Sequence, residues 1–496
     1  MAVTATHRVL PVPAALARQM ADSAPSVVVL GDAVLDAWLT GPAHRVGREA
    51  PVPVVELRET AYAPGGAANM AANLAALGAR VELLAVLGDD SAADLLRDAL
   101  VARGVGISHS VVEAGRVTPV KRRLVAGGQV VARFDDGPRS LPSPEAQSAL
   151  AAALEVALTG EVAAVVVADY GLGTISERIR DILVHRGGVP LVVDAHDLAA
   201  WQRCAPQLVT PSFGEAAAVL GATAPEEERI AWVGAHADEL VGCCGAEDVL
   251  VTLDIDGALL VPGRAAPMLH AAALTAVPGA SSCGAGDTFA AAATLARCVG
   301  SGRSAMLAVA QAAADVVVAR PGTAVCDTAA LIARLAHADR GAILHPDDLI
   351  SVVEEHRRVG HRVVFTNGCF DVLHRGHVAY LRQARALGDV LIVALNTDES
   401  VARLKGPQRP VNPLVDRAGV VGALDAVDLV TSFGEDSPVA LLTRVRPDVY
   451  AKGGDYTPQM LPETPVVERL GGQVRVLDYL SDHSTTAIVD RIRTAP

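Results

Sequence analysis

The chain has almost no lysine. Of its 42 cationic residues only Lys121, Lys405 and Lys452 are lysine, the rest being arginine. Arginine does not replace lysine freely, because a compact ammonium on a flexible stem and a planar guanidinium fork meet anions differently. The three lysines are either chance survivors of a coding bias toward arginine or places that need a point charge, and their motif context has to decide. Aromatic side chains make up 3% of the chain against 51% apolar residues overall, so the cores must be built from Ala, Val and Leu. The seven cysteines show no CxxC spacing, and Cys243 and Cys244 are adjacent. This speaks against a zinc ribbon or a secreted disulfide framework and for a reducing compartment. No basic stripe interrupts the formal charge of −14, which argues against a nucleic-acid or anionic-membrane surface. Arg8, Pro11, Pro13 and Arg18 break any signal-peptide core. The uncharged run 265–286 holds His270, Pro278 and Gly279 and makes a poor spanning helix. A soluble cytoplasmic protein without membrane or nucleic-acid partners is expected.

At 496 residues the chain is long enough for two or three domains with separate cores. From Ser26 to about Pro321 short apolar strands alternate with Ala-rich helical stretches, the pattern of an open α/β fold. VVVLGD, AAVVVADYG, PLVVDAH and DVLVTL read as strands buried on both faces. The period is lost around 337–346 and resumes with a charged helix, Asp347 to Arg358, which places a domain boundary there: 1–335 and 336–496. In the second part RVVFTNG, DVLIVALN, LVTSF, VYAKGG and QVRVLDYL alternate with helices, enough for a small doubly wound sheet of Rossmann type.

The most informative segment of that second part is TNGCFDVLHRGHVAYL, 366–381. A strand breaks at Asn367-Gly368 and a helical pattern resumes at Val378, Leu381 and Ala384, so His374 and His377 fall at a helix N-terminus, where free N–H groups and the macrodipole favour phosphate. Two histidines there fit capping or packing as well as catalysis. Their company shifts the reading: two of the three lysines, Lys405 and Lys452, lie in the glycine-containing loops RLKGPQRP and YAKGGDY. With Arg409 they can offset the charge of a phosphate ligand. Ser484, Thr485 and Thr486 precede a last apolar helix and suit capping or phosphate contact, and Arg417 suits either a surface cation or a nucleotide contact.

Together with HSTTAIVDRIR, these motifs resemble the adenylyltransferase half of the bifunctional heptose 7-phosphate kinase and heptose 1-phosphate adenylyltransferases, across the whole C-terminal part. The resemblance implies that His374 and His377 stabilise the α-phosphate of ATP while a phosphate oxygen of heptose 1-phosphate attacks it. Thr366, Asn367, Gly368, Phe370, Asp398, Arg409, Arg417, Ser484, Thr485 and Thr486 would surround the nucleotide.

In the first part, SSCGAGDTFAAA opens a helix with a glycine-rich turn. Its backbone N–H groups suit an anion hole, and Asp287 suits a general base. With LGDAVLD, REAPVPVVE and PGGAANMAANLAALGA it resembles the ribokinase-like sugar kinases, the heptose kinase branch in particular. That likeness implies an α/β sandwich that transfers the ATP γ-phosphate to position 1 of a heptose 7-phosphate with Mg²⁺. Asp287 would be the base, Gly284, Ala285, Gly286, Ser212, Glu215 and Gly257 would meet ATP, with Glu215 the candidate for organising Mg²⁺, and Asp36, Gly65, Gly66, Asn69 and Lys121 would hold the sugar phosphate. A homodimer is implied as well. Several positions depart from the family pattern: Leu172 stands where a lysine follows DYxK, Ser212 replaces an asparagine, Ser281 and Cys283 precede GAGD, and a DPK segment reads Asp194-Ala195-His196. A second reading therefore keeps a working adenylyltransferase behind a non-catalytic sugar-phosphate-binding or dimerisation module. A third keeps both chemistries on another sugar phosphate.

Overall fold

The computed structural model describes residues 6–8, 12, 14–137, 141–264, 266–273, 283–338, 343–358, 360–454 and 457–477. It divides into two compact units, one built on Leu16–Leu331 and the other on the residues from Ile332.

In the first unit, nine strands form one sheet, in the order Thr6–Arg8, Met268–Ala271, Ala258–Pro262, Asp248–Thr252, Leu208–Val209, Leu191–Ala195, Ala164–Asp169, Ser26–Gly31, Arg80–Leu84. Pairing is parallel from Arg80–Leu84 to Asp248–Thr252 and turns antiparallel across the next two strands. The Val-rich runs are buried on both faces, as continuous apolar strands require. Val165, Val167, Leu191 and Val193 pack with the helices Pro144–Ala157 and Glu177–Val184. On the other side lie Ala67–Ala76 and Ala285–Cys298, whose small alanines let helix and sheet approach closely and compensate for the shortage of aromatics.

A smaller four-stranded sheet, ordered Gln129–Asp136, Val120–Ala126, Ala33–Thr40, Glu59–Gly66, branches from the main one directly after Gly31. Its hairpin turns through Gly127 and Gly128, both at positive φ (59° and 79°), the conformation a two-residue turn between twisted strands demands. This branch carries Asp36 and Lys121 on adjacent, directly paired positions.

In the second unit six parallel strands are ordered Ile343–Leu344, Leu429–Phe433, Val390–Asn396, Val363–Gly368, Val449–Gly453, Gln473–Leu477. The order reverses between Val363–Gly368 and Val449–Gly453. That switch point opens a crevice at the strands' carboxyl ends, where open α/β sheets bind ligands. The helix Arg375–Arg385 starts beside it.

Candidate active sites

Asp287 sits in the first turn of Ala285–Cys298, after an N-cap glycine, Gly284, at φ 79°. A Cβ on Gly284 would lie 2.6 Å from the Asn69 side-chain nitrogen, so a larger residue would displace the very group that holds the carboxylate. Asn69 Nδ2 donates to Asp287 Oδ2 at 2.7 Å. The Tyr170 hydroxyl lies 2.7 Å from Asp287 Oδ1 and 2.7 Å from Asp194 Oδ2. Burial pushes Asp287 up to about 6 in spite of its donors, and burial with the nearby Asp287 charge pushes Asp194 up to about 7. Asp287 is thus a carboxylate poised close to neutral pH, as a general base should be.

Around it, Asp36 is buried and accepts from Arg123 Nη1 and Thr323 Oγ1, each at 2.8 Å. Gly65 runs against this carboxylate, where a Cβ would come within 2.9 Å of Asp36 Cγ, and Gly66 crosses Asp32 at φ 58°. Asp32 accepts the backbone N–H groups of Tyr170 and Leu172 at 2.9 Å and of Thr174 at 3.2 Å, which fixes the loop that carries Tyr170. Lys121 Nζ stands 5.8 Å from the Tyr170 ring centre. Asp36, Gly66, Lys121, Tyr170, Asp194 and Asp287 line a cavity of 310 Å³ together with Gly284 and Gly286. Lys121 and Tyr170 also line a second cavity of 380 Å³ with Arg133, Leu172 and His196. Two cations therefore stand in the cavity where the lysine after DYxK is missing.

In the second unit the switch-point crevice is a 140 Å³ pocket lined by Asn367, Gly368, Cys369, Phe370, Asp371, His377, Lys405, Lys452 and Gly453 among others. His374 occupies the N-cap position of Arg375–Arg385 yet makes no side-chain capping bond, which removes the capping reading. The two imidazoles stack at 3.9 Å and Phe370 packs on His377 at 5.1 Å. Phe370 reaches this place from a left-handed backbone, φ 46°, and Gly368 makes room, since a Cβ there would fall 2.9 Å from the phenyl ring. Burial, with His374 and Lys405 nearby, lowers His377 to about 4. It is a neutral hydrogen-bond donor at pH 7, and the positive charge is left to the lysines. Lys452 Nζ lies 3.1 Å from Asn367 Oδ1, which also accepts from Tyr450. Burial lowers the Lys452 pKa.

Residues 24–330 match the pfkB family of carbohydrate kinases and residues 365–491 the cytidylyltransferase-like family. The chain is 39% identical over 471 residues to the Bifunctional protein HldE of Alcanivorax borkumensis, covering 94% of this chain and 97% of that one. It is 41% identical over 481 residues to the protein of the same name from Ectopseudomonas mendocina, covering 95% and 98%. The chain belongs to the bifunctional HldE family. It is a bifunctional enzyme, a carbohydrate kinase followed by a nucleotidyltransferase. The first unit also shares its fold with Escherichia coli phosphofructokinase-2 (TM-score 0.52, 18% identity, 64% of this chain and 99% of that one).

Within this HldE-family chain several expected ligand contacts turn out to be engaged by the protein itself. Ser212 and Glu215 form a reciprocal capping box at the start of Phe213–Val219, and the other Glu215 oxygen meets His196 Nδ1 at 2.5 Å. Each Glu215 oxygen accepts a hydrogen bond, and Glu215 lines the 310 Å³ cavity. Among the described residues no three His, Cys, Asp or Glu side chains cluster to hold a metal ion. Gly257, at φ 88°, closes the turn before Ala258–Pro262 and does not line either cavity. Thr366 is buried and bonded to the Tyr380 hydroxyl.

Arg417 corrects the surface-cation expectation: it is 2% exposed, and it donates to the carbonyls of Asn412, Cys369 and Asn396 and to Asp398 Oδ1 at 2.6 Å. Arg417 thus ties Asp398 to the loop segments at Cys369, Asn396 and Asn412, and neither residue is among those lining the 140 Å³ pocket. Arg409 Nη1 meets the buried Asp371 at 2.5 Å. Ser484, Thr485 and Thr486 lie outside the described residues. Sequence reasoning passed over Tyr170, Asp194, Arg123 and Thr323. Tyr170 and Asp194 stand inside the DYxK-like and DPK-like segments, where the signal was the unaltered residues beside the altered ones.

Proposed function

We propose that the first unit phosphorylates position 1 of a heptose 7-phosphate from ATP, and that the second, after another enzyme removes the 7-phosphate, transfers AMP from ATP to the heptose 1-phosphate, giving ADP-heptose and pyrophosphate. The kinase reading is carried by one observation: a cavity-lining carboxylate, Asp287, held at a glycine-rich helix start by Asn69 and Tyr170. The sugar hydroxyl passes its proton to Asp287 as it attacks the γ-phosphorus, and the N–H groups of Ala285 and Gly286 with Lys121 receive the phosphoryl charge. Asp36, held by Arg123 and Thr323, and the Gly65-Gly66 turn orient the sugar. Mg²⁺ with ATP would offset the phosphate charge, and Glu215, which lines the cavity, would be the residue to organise it.

In the second unit no base is required, because the attacking group is already a phosphate oxygen. His374 and His377 donate to the α-phosphate, while Lys405, Lys452 and Arg409 balance the leaving pyrophosphate. Asn367, Gly368 and Phe370 shape the pocket wall against the nucleotide.

The junction is placed between residues 335 and 336, and the enzyme is taken to work in the cytoplasm as a homodimer. No described helix is long and apolar enough to cross a membrane, and light scattering tests the dimer. Activity is tested by incubating the full chain with ATP, Mg²⁺ and each heptose phosphate. ADP formed only with the 7-phosphate and pyrophosphate formed only with the 1-phosphate are the expected results. Absence of either from folded protein would remove the corresponding half of the reading.

A further inference from the structure

The Tyr170 hydroxyl stands 2.7 Å from a carboxylate oxygen on each side, Asp287 Oδ1 and Asp194 Oδ2. A phenol has one proton and can donate to only one of them. Two lone pairs facing each other at the second contact would repel, so that contact needs a proton on a carboxyl group. The three oxygens are therefore spaced so that a proton arriving on one carboxyl group can pass through the phenol to the other. Asp194 is not needed to bind either substrate in the reading above, yet it lines the same cavity as the base and is 9% exposed.

We propose that Tyr170 and Asp194 form a proton relay that takes the sugar-hydroxyl proton onward from Asp287. The inference rests on Asp287 being the kinase base. In the step, the sugar O–H bond breaks while its oxygen bonds to the γ-phosphorus. The bond from that phosphorus to the β–γ bridging oxygen breaks, and its electron pair leaves with ADP. The hydroxyl proton lands on Asp287 Oδ1, because Oδ2 is held by the Asn69 amide. Asp287 donates it to the Tyr170 oxygen as Tyr170 passes its own proton to Asp194 Oδ2. Tyr170 ends unchanged, and Asp194 carries the proton until the open cavity releases it to water with the products. Burial raises both carboxyl groups, so either can hold the proton while the other is ionised. The charged groups facing the pair are Asp36 and Lys121 at Asp287 and Glu215 at Asp194.

The test is a single-turnover measurement of phosphoryl transfer from ATP to heptose 7-phosphate by the full chain, with the wild type, Asp194→Asn and Tyr170→Phe. Asparagine keeps a carbonyl oxygen to accept from Tyr170 but is no proton acceptor, so a merely positional role survives the change and a relay does not. The transfer rate is expected to fall at least about tenfold in both variants, within the range a positioned proton-transfer group contributes, with sugar affinity held within about twofold. In mixtures of light and heavy water the wild-type rate should curve with deuterium fraction, as two moving protons require, and become linear in Tyr170→Phe. An Asp194→Asn rate within twofold of wild type, or a loss matched by lost sugar affinity, overturns the relay while the kinase reading stands. If wild-type protein transfers no phosphate, or Asp287→Asn still does, the kinase reading itself fails and the relay with it.

Discussion

The two active sites of this chain solve the problem of phosphate charge with opposite materials. The kinase site is rich in carboxylates: Asp36, Asp194 and Asp287 line its cavity, and the buried Asp32 holds the loop that carries Tyr170. The nucleotidyltransferase pocket is lined by His377, on which His374 stacks, and by two lysines, and its lining carboxylate, Asp371, is committed to Arg409 and to backbone N–H groups. The difference follows from the nucleophile. A sugar hydroxyl must lose a proton to attack, so its site has to store one. A phosphate monoester oxygen attacks as it is, and its site needs only donors and cations. Two chemistries that both consume ATP are thus distinguishable by whether the protein provides somewhere for a proton to go.

That contrast can be broken at several points. Asp287→Asn should lower ADP formation with heptose 7-phosphate by about 10³-fold, the loss expected for a general base, while pyrophosphate release with heptose 1-phosphate stays at the wild-type level. Conversely, His377→Ala should cost the pyrophosphate assay about 10²-fold, the scale of one lost transition-state donor, and leave ADP formation untouched. Loss of both activities in either folded variant would contradict two independent sites. Arg417→Ala leaves Asp398 and three carbonyls without their cation and should destabilise the second unit by about 3 kcal/mol, the scale seen when one partner of a buried pair is removed. Denaturant unfolding followed by a probe in that unit reads this.

The pH profiles sharpen the comparison further. Asp287 must be ionised to accept a proton, and its carboxyl is pushed up to about 6, so kinase kcat/KM should fall as pH drops through 6. The nucleotidyltransferase should show no limb from His377 between pH 5 and 8, because this imidazole, lowered to about 4, stays neutral throughout. The smallest effect is expected for Leu172→Lys. With Lys121 and Arg133 already in that cavity, the added charge should lower KM for heptose 7-phosphate by no more than about fivefold, in line with about 1 kcal/mol for a solvent-accessible ion pair.

Much of this was legible in the residues. Apolar runs such as VVVLG and VLIVALN marked strands because burial on both faces leaves no polar position in them. The scarcity of lysine pointed to Lys405 and Lys452, which the switch point brings to one pocket. What stayed hidden depended on distance along the chain. Arg417 meets partners 5 to 48 residues away, and nothing in its own neighbourhood separates a brace from a surface cation. The Asp194, Tyr170 and Asp287 cluster joins residues 24 and 117 positions apart, and only the sheet order makes them neighbours. Ser212 with Glu215 followed the opposite course: a capping box is readable at three-residue spacing, but family likeness drew attention to ATP instead.

Asp32 has a consequence for how this site can change over time. It grips the loop at Tyr170, Leu172 and Thr174 entirely through main-chain N–H groups, so this hold does not depend on the side chain at position 172. The position now occupied by Leu172 can be rewritten, charge included, while Tyr170 two residues earlier keeps its place beside Asp287. One buried carboxylate thereby separates the part of the loop that is free to diverge from the part that chemistry holds constant.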